Sequence, residues 1–455
     1  MEMIMVRAFS ATRRHFLSST SLAYFGVGAF SNDAESQETV CDGSDDKKFV
    51  YQSQQLPEPK IVLPTDSLPV PQGPRKRVAA ITTTYFKYSH ADDIITKFIE
   101  GYGVVGRTFL PHCDVVSMYV EQFPETDIGR GMAARYGIPL FDTPSEALTM
   151  DGSDLAVDAV LLIGEHGNYP SNEKGQKLYP RRRLFEEIVK VFRKSGKSVP
   201  VYNDKHFSYS WKHAEWMYEQ SRELDFPMMA GSSVPVTWRL PALEFRSGAP
   251  LASTLGVGFS GVESYGFHTL EVMQTVAERR PGGETGVKSV QALKGEQAWA
   301  AARAGHWDYR LLRSAMNCVP DSRQAVQSLD QLQKADPDAV VFLVDYCDGF
   351  QAASYLSRGM INEFAFSARM NGDAAIQSAW CYLPKPQRDH FSFLCNHIEV
   401  MFRTGVPSYP VERTYLVTGM LASLIDSYNQ KGKRMETSHL RSIHYKPYLK
   451  GERRG

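Results

Sequence analysis

The sequence is poor in cysteine and has no close cysteine pair. Its six cysteines, Cys41, Cys113, Cys318, Cys347, Cys381 and Cys395, show no CxxC spacing in 455 residues. That excludes a disulfide scaffold and gives no sign of a zinc or iron–sulfur site. Charge bias is absent too: 51 Lys+Arg balance 51 Asp+Glu, for a formal net charge of zero. A chain so balanced is not built mainly to grip nucleic acid or an anionic membrane. No apolar run reaches the ~18 residues expected of a membrane span, and there is no internal repeat. The composition is not that of a disordered chain, since 43% hydrophobic and 22% charged residues supply sizeable cores.

What is present begins with Thr12-Arg13-Arg14-His15-Phe16-Leu17 and a short, small-residue apolar run. Paired arginines in that setting predict a twin-arginine export signal over residues 1–34, hence a periplasmic or extracytoplasmic destination. A Pro-rich linker, 35–76, follows, with six prolines from Pro57 to Pro74; it is expected to lie as a tether or strap on the surface. From residue 77 to 235, β-branched runs alternate with helical periodicity: strands at 77–85, 113–122, 139–142, 157–166, 198–205 and 227–233, with helices between them. That pattern predicts a doubly wound, Rossmann-like parallel sheet. Residues 236–448 form a second domain. Consecutive strands near 340–356, 361–370 and 374–383 without crossover helices predict a mostly antiparallel open sheet with helices on one face.

This order of segments resembles the Gfo/Idh/MocA oxidoreductases. The segments that carry the likeness are ARYGIPLFDTPSEAL (134–148), VDAVLLIGEH (157–166), KSVPVYNDK (197–205), ESYGFHTLE (263–271) and the closing stretch 411–437. The resemblance implies a sugar or polyol as substrate, NAD or NADP as cofactor, and a homo-oligomer formed through the C-terminal sheet. It also implies catalytic roles for Lys205, at the end of its strand, and for His268 as general base. Asp204, His206, Trp238, Arg239 and Glu271 are the accompanying substrate-side candidates. Ser264 stands where the family has Asp, and Glu263 is one position away from it.

The first strand departs from the pattern. A dinucleotide needs glycines there, so that backbone amides can approach the pyrophosphate. This chain has Thr82-Thr83-Thr84-Tyr85-Phe86-Lys87-Tyr88-Ser89-His90. Thr83, Thr84, Tyr85, Glu121 (near the end of the second strand), Glu165 and His166 are the residues placed to meet a cofactor. Lys87 or Ser89 offers an anion site instead. Two other readings stay open: a relative that binds carbohydrate without nicotinamide, and a metal-assisted lyase or hydrolase using His90, Glu165, His166, Asn168, Asp204, His206 and Tyr209. No tight ligand spacing supports the metal, so none is expected. Trp211 and Trp216 are candidates for stacking on a sugar ring. The stretch from Glu278 to Glu284 is a candidate cleft wall, and the arginines at 181–183 are expected to be solvated.

Overall fold

The computed structural model describes residues 63–104, 106–320, 328–384 and 388–448. The expected export signal and most of the linker lie outside the described residues. The described end of the linker, from residue 63, is tied to the fold by side-chain bonds. Thr65 and Asn396 exchange two hydrogen bonds, and Arg403 donates to the Pro69 carbonyl at 2.9 Å.

Six parallel strands build the first sheet: β1 (Lys76–Thr82), β2 (Cys113–Val120), β3 (Leu140–Phe141), β4 (Ala159–Ile163), β5 (Val201–Asp204) and β6 (Met228–Gly231). Their order is β3-β2-β1-β4-β5-β6. A sheet covered on both faces needs strands that are apolar throughout, and every residue of β4 is buried. The connecting helices have local reasons to start and stop. In α3 (Pro144–Thr149), Thr143 and Glu146 form a capping box ahead of a first-turn proline. α2 (Gly129–Tyr136) ends on Gly137 and α4 (Arg181–Ser195) on Gly196, both left-handed. After β1 the chain enters a π-helical turn, Asp92–Thr96, that continues into the short α1 (Lys97–Glu100). α5 (Trp211–Glu223) joins β5 to β6.

The second sheet is mixed. It contains β7 (Leu251–Phe259), β8 (Val287–Lys294), β9 (Val340–Tyr346), β10 (Gln351–Ser357), β11 (Phe364–Met370) and β12 (Ile376–Cys381). The order is β8-β9-β10-β7-β11-β12, with two-residue strands at either edge. Only the β7–β10 pair among these six is parallel. The sequence reading missed β7, whose Gly256 and Gly258 break the apolar alternation. The reason they are glycines is visible: a Cβ on Gly256 would lie 2.8 Å from the Thr269 carbonyl oxygen and 2.9 Å from Met273 Cβ. Those residues belong to α6 (Ser264–Ala277), which rests directly on β7 and β10.

Helices pack on both faces of this sheet. Val340, Phe342 and Val344 of β9 face α6 and α11 (Glu412–Asn429). Val341 and Leu343 alternate to the other side, together with Leu255 and Tyr355. There they meet α7 (Glu296–Arg303), α8 (Tyr309–Asn317) and α9 (Leu329–Ala335) through Trp299, Leu312, Ala315 and Leu332, all fully buried. Both faces of this sheet therefore carry core within one chain. A further helix, α10 (His390–Thr404), packs on the parallel sheet.

Candidate active site

Strand ends of a doubly wound sheet point their loops at a common edge, where ligands bind. At that edge β4 leads into Glu165 and β5 into Lys205. Glu165 lies in the charged centre of the region: Lys205 Nζ is 2.8 Å from its Oε1, and Arg181 binds its other oxygen. Arg181 is only 1% exposed, so the expected solvated arginine is instead a buried counter-ion. Burial pushes the Glu165 carboxyl up, but the Lys205 ammonium and the Arg181 guanidinium outweigh it and hold it well below the usual carboxylate range. Lys205 is left-handed, with φ 60°, and donates its amide to Gly231 O. A non-glycine residue in that conformation is strained unless its surroundings fix it; here the ion pair and the amide bond do so.

Lys205, Glu165 and His206 line a cleft of about 340 Å³, the lower end of the range for small-molecule sites. Lys174, Lys177 and Tyr179 of the β4–α4 connection form another wall, Glu263 and Ser264 at the start of α6 a third, and Tyr428 and Asn429 of α11 close it. Two polar atoms of its lining, His206 Nδ1 and Glu263 Oε1, are buried with no hydrogen-bond partner, and such atoms call for a ligand or a water. Ser264 and His268 stand at i and i+4, on one face of α6. His268 is partly exposed, and its Nδ1 lies 2.6 Å from Ser232 Oγ. Burial, then the positive charge of Lys205, hold the imidazole well below its ordinary value.

Other sequence candidates are placed as follows. Asp204 accepts from His90 Nδ1, or shares its proton, at 2.7 Å. Glu271 is withdrawn behind the cleft: its carboxylate takes the Ser232 amide at 2.8 Å and the Thr414 hydroxyl at 2.5 Å, and burial raises it to about 7. Trp238 packs beside Tyr382, and Arg239 donates to the carbonyls of Pro235 and Leu243 and pairs with Glu244; neither reaches the cleft. Trp211 stacks on Tyr415, and Trp216 lies under Arg182. Glu278 pairs with Arg413, and Arg280 with Glu284 and Asp348, in a buried network that is no cleft wall. The residues missed by sequence reasoning, Lys174, Lys177 and Tyr179, sit on a connection with no periodic signal. Among the described residues, no group of three or more His, Cys, Asp or Glu side chains is gathered to hold a metal, and no helix is long and apolar enough to cross a membrane.

The cofactor candidates occupy the crevice over β1 and β2, and most are bonded within the chain itself, although the buried Thr84 Oγ1 and His166 Nε2 have no hydrogen-bond partner. Thr83 Oγ1 donates to Glu165 O at 2.6 Å and the Thr83 amide to Ile163 O. Thr84 is buried beside Gly167. Tyr85 turns into the core and its hydroxyl meets Thr96 Oγ1 at 2.7 Å. Glu121 is bound by Arg183 at 2.5 Å and by the Tyr169 hydroxyl at 3.0 Å. His166 packs edge-on to Phe86 and His90, and burial lowers it to about 4. Lys87 is paired with Asp92 at 3.1 Å. These residues do not fit a dinucleotide lying over β1.

No family model matches the sequence, and neither does any curated protein. Solved structures do resemble the fold. GenD2 from gentamicin A biosynthesis, crystallised in complex with NAD, superposes with a TM-score of 0.50 at 14% identity, over 81% of this chain and 99% of its own. A myo-inositol dehydrogenase from Corynebacterium glutamicum gives 0.48 at 11% identity, over 79% and 98%. A probable dehydrogenase from Thermotoga maritima gives 0.47 at 13%, over 80% and 99%. At these identities the likeness is one of architecture: the chain has the two-domain fold of the Gfo/Idh/MocA-type dehydrogenases, a Rossmann-like parallel sheet followed by a mostly antiparallel one.

Proposed function

We propose that the cleft takes a small sugar or polyol and moves a proton on it, with His268 as the base and Lys205 as the hydrogen-bond donor at the reacting oxygen. The observation that carries this reading is the Lys205–Glu165–Arg181 cluster at the cleft, whose wall includes Ser264, one helical turn before His268 on α6. A base must be unprotonated to accept, and the lowered His268 meets that condition. With hydrogen on Nδ1, His268 donates to Ser232 Oγ and keeps the Nε2 lone pair for substrate; the Val234 amide, 3.0 Å from the same hydroxyl, helps hold Ser232 in place. An ammonium has three donors. Lys205 spends one on Glu165 and keeps others for a ligand oxygen. Glu263 Oε1 and His206 Nδ1 are unpartnered groups suited to further hydroxyls.

The polar lining of the cleft supports a polyhydroxyl ligand, and the arginine pair near the N-terminus supports export by the twin-arginine route. Calorimetric titration with a panel of monosaccharides and inositols tests the proposal. At least one binds, and Lys205→Met weakens it ~10-fold or more, the scale of a lost charged hydrogen bond. No binding across the panel, or equal binding by the variant, overturns the assignment.

A further inference from the structure

The connection from β4 to α4, residues 164–180, passes across the carboxyl end of β1 to reach β2. The Asn168 amide donates to Gln122 Oε1 at 2.8 Å, and Gln122 Nε2 returns a bond to Asn168 O at 3.4 Å. The Tyr169 hydroxyl holds one oxygen of Glu121 while Arg183 holds the other. An acid at the end of the second strand is the ribose partner in dinucleotide folds, and both its oxygens are taken. Gly167 lies so close to Gln122 and Thr84 that a Cβ there would be 3.1 Å from Gln122 Oε1 and 3.3 Å from Thr84 Cγ2. The phosphate end is closed in the same manner. The Tyr88 amide bonds Asp92 Oδ2 at 2.8 Å, and the Phe86 and Asp92 amides both bond Ser89 Oγ. The cations at this end, Lys87 and Arg388, are paired with Asp92 and Asp93, so their charge is committed within the chain rather than offered to a pyrophosphate. The same connection then continues into the cleft wall through Lys174, Lys177 and Tyr179.

We infer that residues 167–169 of this connection stand permanently in the dinucleotide's place, and that the cleft carries out redox-neutral proton transfer on a carbonyl sugar. The inference rests on the reading of the cleft as a sugar site. With no nicotinamide over β1 to take a hydride, the base and the ammonium are left with enolisation. His268 Nε2 takes the proton from the carbon beside the carbonyl. The electrons of that C–H bond become the C=C of an enediolate, whose oxygen carries the negative charge and accepts from Lys205 Nζ. Return of the proton to the same carbon gives exchange or an epimer; return to the former carbonyl carbon, with the neighbouring hydroxyl proton passing to the enolate oxygen, gives an isomer, each of unchanged formula and with no electron acceptor.

Two measurements on the folded full chain test this. Equilibrium dialysis against NAD⁺, NADH, NADP⁺ and NADPH at ~1 mM should show no retention, and a Kd tighter than ~100 μM for any of them overturns the closed crevice. Incubation with D-fructose, D-tagatose and L-sorbose in D₂O, followed by NMR, should show deuterium entering beside the carbonyl of the ketose that binds. His268→Gln, with an unchanged melting temperature, should slow that exchange by ~10²–10⁴-fold. A ketose that binds but gains no deuterium overturns the redox-neutral chemistry and leaves the sugar site standing. Failure of every ketose to bind overturns the inference, and failure of every other sugar as well overturns the sugar site with it.

Discussion

Removing the Glu165 carboxylate is the sharpest perturbation of the charged centre. Glu165→Gln keeps the side-chain volume but leaves Lys205 and Arg181, 8% and 1% exposed at the side chain, as two cations with no anion between them. Deleting one partner of a buried ion pair costs about 3–5 kcal/mol, because the remaining charge stays desolvated. Residues 63–448 unfold with an entropy of about 2.1 cal/mol/K per residue. The loss is therefore about 4–6 °C in melting temperature, read by calorimetry. The companion variant Lys205→Met removes one of the orphaned cations. The double variant Glu165→Gln/Lys205→Met should therefore be more stable than the sum of the singles by at least ~1 kcal/mol. A Glu165→Gln protein melting within ~1 °C of the parent, or strictly additive singles, would refute the buried-cluster reasoning.

Three further outcomes follow from the packing. Acid should destabilise the protein below pH 6.5: burial holds His206 and His268 well below their ordinary value, lowers His166 and His397 to about 4 and lowers His390 to about 3. Groups lowered in the folded state contribute stability above the unfolded value and lose it as pH falls. Asp93 and Glu271, raised by burial to about 6 and about 7, oppose the trend without cancelling it; a melting temperature that rises from pH 6.5 to 5 contradicts this balance. Gly256→Ala should cost ~1–3 kcal/mol by driving β7 off α6, measured by urea denaturation; a neutral result means the two elements are not in contact. Light scattering after size exclusion should give one chain per particle, since α7 to α9 cover the face expected to associate; a dimer lost on mutating Trp299 or Leu312 to a polar residue would contradict that.

Much of the parallel half was legible because its signals are local. Buried strands are apolar throughout, Thr143-Pro144 starts a helix, and Gly137 and Gly196 end two. Lys205 and His268 were singled out through segment order; Lys205 lines the cleft, and His268 lies one turn along α6 from Ser264, which also lines it. Three things were hidden for physical reasons. β7 carries glycines dictated by a helix contacted only in the folded state. The arginine run at 181–183 looks solvated until the fold brings Glu165 to Arg181, sixteen residues away on another element. The segment from Asn168 to Tyr179 has no periodicity, because its position is set by side-chain bonds to Gln122 and Glu121 rather than by a regular element. The missing glycines after β1 drew attention to the crevice, but nothing local in the sequence marks the connection that reaches Gln122 and Glu121 there.

A crystal structure of the protein soaked with a binding ketose and saturating NADH together tests the account most directly. The account predicts sugar in the cleft, an oxygen within hydrogen-bonding distance of Lys205 Nζ and a carbon facing His268 Nε2, while Asn168 and Tyr169 remain on Gln122 and Glu121. Density for NADH along β1, with residues 167–169 pushed aside, would contradict it.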